Sequence, residues 1–166
     1  MDLKEDLIAG LESTRRQYLH LVETVPEEFY GRPSTNPAWT IGDVLYHITL
    51  GPRAIRAEIW MIRNAGWLFS AFLSDRTSGI FNRGNALFAR HPKRVRPDRL
   101  VQSYDRGHTG LLNSLRSMQD ADFSKSIQYP EAFVMELAGK VTVERLVRYV
   151  TIHFEIHAGQ IRSRLE

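Results

Sequence analysis

The sequence has no cysteine among its 166 residues. This absence excludes disulfide bonds, thiolate ligands for a metal ion and a cysteine nucleophile. If the protein carries out thiol chemistry, the thiol must therefore come from a second substrate.

Long apolar runs are absent as well, since no stretch approaches the roughly 20 apolar residues that span a membrane. The N-terminal segment MDLKEDLIAGLE contains acidic residues and lacks the apolar stretch of a signal peptide. These features predict a soluble protein of the cytoplasm. With 43% apolar and 25% charged residues, the chain is typical of a globular protein, and its length suits one domain over residues 1–166.

The basic stripe and the reading motifs of nucleic-acid-binding proteins are also missing. The net charge is +3, but residues 66–97 alone carry +5, because six basic residues there are accompanied by a single aspartate. The positive charge therefore belongs to one segment, which we interpret as a solvated loop or as a patch facing an anionic substrate. We expect neither a nucleic-acid partner nor a membrane partner.

Apolar residues recur at three- and four-residue steps in four segments, a pattern that predicts four amphipathic helices. The expected helices cover Asp2–Val25, Ile41–Arg63, residues 97–118 and residues 142 to the C-terminus. Strand alternation is limited to short ambiguous pieces. The most economical fold is an all-α four-helix bundle.

Local signals refine the second helix. Thr40 and Asp43 have the spacing of a capping box, with aspartate in place of the usual glutamate or glutamine. Gly51-Pro52 interrupts the helical pattern, and a proline inside a helix predicts a kink. We therefore expect a second helix that is kinked at this dipeptide.

Two connections are less regular. Residues 66–97 are too rich in aromatic residues for a simple linker, and they suggest a packed lid or binding loop with a short helix at Ile80–Arg90. The second connection, Ala121–Lys140, reads as a loop with one short extended or helical piece at Ala132–Leu137.

His153 and His157 lie four residues apart in the last predicted helix, so they share one face of it. Two imidazoles in this arrangement can bind one divalent metal ion. The alternative is the commoner one, a core histidine that is hydrogen-bonded to a neighbour. The H-E-x-x-H motif of zinc proteases is absent, because Glu155 is rotated away from the pair.

Two histidines make an incomplete catalytic metal site, which usually has three protein ligands and one open position. His47 is the natural third ligand, since it lies one position off the apolar stripe of the second helix. His108 is a candidate fourth ligand or general acid/base, although a hydrogen-bonded core histidine is its commoner role. His108 or Tyr104 is also a candidate for positioning a substrate or moving a proton.

Two stretches of the sequence resemble the hallmark segments of the DinB-like (DinB/YfiT) metalloenzyme family. They are WTIGDVLYH at Trp39–His47 and TVERLVRYVTIHFEIHAGQI at Thr142–Ile161. In that family, a tryptophan followed by serine or threonine precedes a histidine on the second helix, and H-x-x-x-H followed by a small residue and Gly-Gln-Ile lies on the last helix. The matching positions are Trp39, Thr40, His47, His153, His157, Gly159, Gln160 and Ile161.

This resemblance implies a four-helix bundle that binds a divalent metal through His47, His153 and His157. Zinc and nickel are the expected metals, with iron and manganese as further candidates, and homodimers are expected. Relatives include transferases and isomerases that use low-molecular-weight thiols. The long aromatic and basic segment after the second helix departs from the family pattern where substrate specificity would be set.

Three functions are therefore open. The first is a metal-dependent enzyme acting on a small molecule, such as a thiol-dependent S-transferase or isomerase. The second is a metal-dependent hydrolase, and the third is a non-catalytic binding module stabilised by its metal.

Overall fold

The computed structural model describes residues 2–73, 95–131 and 134–165. Four long helices dominate it and confirm the predicted all-α four-helix bundle. They are α1 (Leu3–Thr24), α2 (Ile41–Phe72), α3 (Pro97–Arg116) and α5 (Val143–Arg162), with a short α4 (Asp120–Phe123) before the last. No helix in the described ranges is long and apolar enough to cross a membrane.

Side-chain caps mark where the helices begin. The Thr40 backbone N–H donates to Oδ2 of Asp43 over 3.0 Å, and the Asp43 N–H donates to Oγ1 of Thr40 over 3.1 Å, which confirms the predicted capping box. At the start of α5, the Thr142 hydroxyl accepts a hydrogen bond from the Arg145 N–H. Each cap satisfies N–H groups that lack a partner inside the helix.

Helix α2 is longer than predicted, and its backbone departs from helical geometry at a different place. Its helical residues continue to Phe72, so the first part of the predicted loop 66–97 belongs to the helix. Pro52 lies inside the helix, whereas the non-helical dihedral angles are those of Ala65 (φ −144°, ψ 36°). The predicted helix at residues 80–90 lies outside the described residues.

The room for Pro52 comes from Gly107 on α3. A Cβ atom at Gly107 would lie 3.4 Å from Cβ of Pro52 and 3.0 Å from Cγ of Arg53. The missing side chain lets α2 and α3 pack closely beside the proline.

The connection before α5 contains a hairpin that the sequence analysis did not predict. Strands β1 (Ser126–Tyr129) and β2 (Gly139–Thr142) pair antiparallel, with Ile127 opposite Val141. Strands of four residues are too short to give a convincing alternation signal. Of the piece expected at Ala132–Leu137, the structure describes a single 3-10 turn, Met135–Leu137.

The core divides into two apolar clusters, and small or polar residues lie between them on all four long helices. One cluster contains Leu11, Ile55, Leu111 and Val150, and the other contains Tyr18, Ile48, Tyr104 and Phe154. We call the intervening layer the polar waist and define it by Thr14, Gly51, His108 and Thr151. Within it, the hydroxyls of Thr14 and Thr151 are 2.7 Å apart and join α1 to α5.

The capping box gives a first test of this fold. We expect Thr40→Ala to lower the free energy of unfolding by about 1 kcal/mol, because the Asp43 N–H loses its acceptor and the Asp43 carboxylate loses the hydroxyl that donates to it. Urea denaturation of the metal-free protein measures this change. In the matched control Thr24→Ala, a hydroxyl near the exposed end of α1 is removed, and the expected loss is below about 0.5 kcal/mol. Equal losses in the two variants would contradict a role for the capping box.

Candidate metal centre

Helices α2 and α5 bring three histidines to one point. His47 comes from α2, and His153 and His157 come from successive turns of α5. One ligand nitrogen from each residue can be chosen so that all three lie within 4.8 Å of one another. The ring centroids are 4.9 Å apart for His47 and His153, and 4.6 Å apart for each of the other two pairs. We call these residues the histidine triad.

The triad lies beside the apolar stripe of α5. In the C-terminal half of α5, the buried positions of that stripe are Phe154, Ala158 and Ile161, whereas His153 and His157 are only partly buried. The three- and four-residue spacing of the apolar positions predicts His157 in the middle of the stripe, whereas in the structure it lies on the flank that faces α2. The pair therefore points into the interface between two helices and not into the centre of the bundle.

The closest contact within the triad joins His47 and His153, whose Nε2 atoms are 3.0 Å apart. Two imidazole ligands of one tetrahedral zinc ion, each about 2.0–2.1 Å from the metal, are separated by about 3.3 Å. The observed spacing is close to that value. The donor set, three imidazoles from two helices, therefore fits a divalent metal ion such as zinc or nickel.

Glycine allows this close approach between α2 and α5. A Cβ atom at Gly51 would lie only 3.1 Å from Nδ1 of His153. Six residues earlier on α2, the Tyr18 hydroxyl donates to the Leu45 carbonyl over 3.1 Å and ties that helix to α1. The absence of a side chain at Gly51 and this anchor together position His47 against His153.

Gln160 orients the third imidazole. Nδ1 of His157 and Oε1 of Gln160 are 3.0 Å apart, so the ring N–H donates to the amide oxygen. This bond leaves the lone pair on Nε2, the nitrogen that is free to bind a metal. In the sequence, Gln160 is recognisable only as part of the family motif. The three-residue spacing to His157 was the available signal for its role.

Trp39 forms a wall of the site. Its ring centroid lies 4.8 Å from that of His47 and 5.9 Å from that of His157. The loop before α2 fixes this position, because the Ser34 N–H donates to the Trp39 carbonyl over 2.9 Å. Trp39 therefore shields two of the three imidazoles.

Burial keeps the triad neutral. It lowers the pKa of His47 to about 4, with a smaller contribution from nearby His157. Burial and the two neighbouring imidazoles bring the pKa of His153 well below its ordinary value. Burial also lowers the pKa of His157, although the Gln160 hydrogen bond acts in the opposite direction. Neutral imidazole is the form that binds a metal ion, so the site is ready to ligate at neutral pH.

The structure does not bring the other two candidate residues into the triad. Tyr104 stacks on Tyr18 of α1 with ring centroids 4.4 Å apart. His108 is buried, and its Nε2 lies 3.4 Å from Oε1 of Glu12, also on α1. Within the described residues, the group of candidate metal ligands comprises the triad without His108. Both side chains therefore belong to the contact between α1 and α3.

The fold and the site together define a class, a helical bundle with a candidate three-histidine metal centre between two of its helices. The chain belongs to the DinB superfamily, whose family model matches residues 10–161. No curated protein sequence matches the chain.

Three solved structures resemble it. The mycothiol-dependent maleylpyruvate isomerase aligns with a TM-score of 0.67 and 14% identity, covering 96% of this chain and 60% of the isomerase. A mutant of that isomerase aligns with a TM-score of 0.68 and 15% identity, over the same shares of the two chains. YfiT from Bacillus subtilis, described as a probable metal-dependent hydrolase with an unusual four-helix bundle topology, aligns with a TM-score of 0.64. It shares 16% identity, over 98% of this chain and 87% of YfiT. The chain thus spans less than two thirds of the length of the isomerase.

The lowered histidine pKa values predict a pH-dependent stability. Between the folded and unfolded pKa values, the unfolded chain binds more protons, so acid favours unfolding. The free energy of unfolding of the metal-free protein should fall as the pH drops below about 6.5 and keep falling to about pH 4. His47 alone should contribute roughly 2–3 kcal/mol to this loss. Urea unfolding at a series of pH values with a chelator present measures it. The variant His20→Gln, at an exposed position, should keep the same profile, and a flat wild-type profile would contradict the prediction.

The Gln160 contact generates a second prediction. Gln160→Leu should weaken metal binding 10- to 100-fold, because the His157 ring loses the partner that fixes its orientation and tautomer. Competition with a chromophoric chelator measures the dissociation constant. The control Gln102→Leu makes the same replacement on an exposed face of α3 and should leave the affinity unchanged. Equal affinities for the Gln160 variant and wild type would rule out this role.

Proposed function

We propose that this protein is a metal-dependent enzyme that acts on a small molecule. His47, His153 and His157 hold one divalent metal ion, with zinc or nickel the first choice and iron or manganese next. The observation that supports this proposal is the convergence of three neutral imidazoles. One ligand nitrogen from each of them lies within 4.8 Å of the other two. Three protein ligands leave a coordination position open, as catalytic sites require and closed structural sites do not.

The protein's own groups provide a shielded setting for this chemistry. A bound metal ion of this type lowers the pKa of a water or thiol ligand, so that a nucleophile is available near neutral pH. Trp39 excludes water from one side of the triad, since its ring lies 4.8 Å from that of His47. Gln160 keeps the His157 ring in the orientation and tautomer that leave Nε2 free.

A low-molecular-weight thiol is the proposed second substrate. The chain has no cysteine that could provide a sulfur nucleophile of its own. A structural neighbour, the maleylpyruvate isomerase, is mycothiol-dependent. The reaction class that fits is S-transfer or thiol-dependent isomerisation. The homodimer, the cytoplasmic location and the single domain over residues 1–166 stay predictions.

Metal-assisted hydrolysis is the second candidate, because the neighbour YfiT is described as a probable metal-dependent hydrolase. It would use water instead of a thiol at the open position. A thiol requirement separates the two reactions.

Metal analysis tests the proposal. Wild-type protein purified with zinc or nickel in the medium should retain about one metal ion per chain, whereas His47→Ala and His153→Ala should lose most of it, because two ligands hold a metal ion weakly. His20→Ala, the control, removes an exposed imidazole and should retain the metal. Unchanged metal content in both triad variants would overturn the proposal.

Cobalt-loaded wild-type protein then distinguishes the thiol enzyme from the hydrolase. Addition of glutathione should produce a thiolate-to-metal charge-transfer absorption band if a thiol binds at the open position. No band, together with hydrolysis of test esters that depends on the metal, would favour the hydrolase.

A further inference from the structure

Two arginines of α2 lie against two glycines of α3. A Cβ atom at Gly107 would lie 3.0 Å from Cγ of Arg53, and one at Gly110 would lie 2.7 Å from Nη1 of Arg56. The Arg53 guanidinium also donates to the Ser103 carbonyl of α3 over 3.1 Å. Because both pairs advance by three residues, the two helices run in the same direction here. The contacts hold both arginines across the surface of α3.

Two arginines of α3 extend this surface. Arg106 directly precedes Gly107, and its Nε donates to the Gln102 carbonyl of its own helix over 3.3 Å. Arg99 lies seven residues before Arg106, which places it two turns away on nearly the same face of α3. The four side chains are exposed, and we call them the arginine patch: Arg53, Arg56, Arg99 and Arg106.

The arginine patch has little negative charge beside it. In residues 2–73, 95–131 and 134–165, no ion pair includes Arg53, Arg56 or Arg106. Arg99 forms a long one, with its Nε 3.9 Å from Oδ2 of Asp98. Protein surfaces ordinarily intersperse charges of both signs. The concentration of positive charge across α2 and α3 therefore attracts an anionic partner.

Large apolar side chains are exposed further along α2. Trp60 lies four residues after Arg56, about one helical turn, and is 62% exposed. Trp67 and Leu68 are 78% and 55% exposed. Side chains with this exposure leave apolar area in water that a partner could cover. The surface thus combines unpaired cations with apolar side chains.

This combination fits the surface of an anionic lipid bilayer. Arginine binds phosphate groups in a bidentate manner, and each basic residue near an anionic bilayer strengthens the attraction. Tryptophan favours the level of the headgroups, and leucine can enter the acyl boundary. Single-stranded nucleic acid also binds to arginine and tryptophan, but an aliphatic side chain such as Leu68 offers a base no ring on which to stack. A lipid surface accounts for all three kinds of side chain.

We propose that α2 and α3 dock the protein on the headgroups of an anionic phospholipid bilayer. The arginine patch contacts the phosphate groups, and Trp60, Trp67 and Leu68 enter the interface beside it. This docking is independent of the proposed metal centre, since His47 faces His153 of α5 whereas the arginines of α2 lie against α3.

The sequence alone predicts no membrane partner, because no stretch spans a bilayer and no single helix carries a basic stripe. The proposal revises that expectation for the protein surface only. The arginines of the patch come from two helices and meet only when α2 and α3 pack together.

Sedimentation with vesicles tests the docking. Wild type should bind vesicles of equal parts phosphatidylglycerol and phosphatidylcholine, bind pure phosphatidylcholine vesicles much more weakly, and be released by high salt. Arg53→Gln/Arg56→Gln should bind the anionic vesicles roughly 30-fold more weakly, because two basic residues are lost. The control Arg16→Gln/Arg164→Gln removes two exposed arginines elsewhere and should bind as wild type does.

Tryptophan emission locates the contact. The sequence has three tryptophans, and Trp39 lies beside the triad. Brominated phosphatidylcholine in the anionic vesicles should quench the emission of wild type. It should leave Trp60→Tyr/Trp67→Tyr unquenched, because Trp39 alone still emits at long wavelength while tyrosine keeps the affinity for the interface. Trp60→Ser should bind several-fold more weakly, whereas Ile152→Ser, which shortens an exposed side chain of α5, should bind as wild type does.

Several outcomes would overturn the docking proposal. They are an absence of binding to the anionic vesicles, equal binding by wild type and the Arg53/Arg56 variant, and equal quenching with and without Trp60 and Trp67. Binding of a thymidine oligonucleotide in place of the vesicles would also overturn it. Unfolding midpoints and metal content show that each variant is folded. If the arginine variant does not fold, the salt release and the quenching of wild type decide. None of these results bears on the proposed metal-dependent enzyme.

Discussion

The approach of α5 to α2 at the polar waist is the contact on which the candidate site depends. It brings the Nε2 atoms of His47 and His153 to 3.0 Å, and it requires a residue without a side chain at Gly51. The capping box at Thr40 and Asp43 fixes where α2 begins and therefore which of its residues faces α5. A shift of α2 by one residue would rotate His47 by about 100° away from its partners.

In the part of the bundle where α2 and α5 meet, the residues that suit a metal site differ from those that would stabilise the fold. The apolar clusters stabilise the fold by burial, whereas the polar waist between them contains the imidazole of His108 and the hydroxyls of Thr14 and Thr151. The triad lies beside this layer. Its own burial favours the neutral form, and neutral imidazole is what a metal ion needs. A protein without a metal site would gain stability from apolar residues at these positions.

Much of the fold and the triad could be predicted from the sequence, because both depend on helical periodicity. Four apolar stripes define four helices, and the spacing of His153 and His157 places them on one face. The partner of His157 was missed because the amide of Gln160 has many possible partners in a helix. The non-helical backbone at Ala65 could not be predicted, because no proline lies next to it in the sequence. The hairpin strands could not be predicted because they are too short to show a two-residue alternation.

The distance along the chain between the ligands has a consequence for biosynthesis. His47 and His153 are 106 residues apart, and the latter belongs to the last helix. On the ribosome, α1, α2 and α3 emerge well before the segment that completes the donor set. A nascent chain can thus offer a single imidazole of the three until α5 has been made and has docked. Binding of a metal ion at the triad would therefore be a late event that follows the docking of α5, and chains interrupted before α5 would lack two of the three candidate ligands.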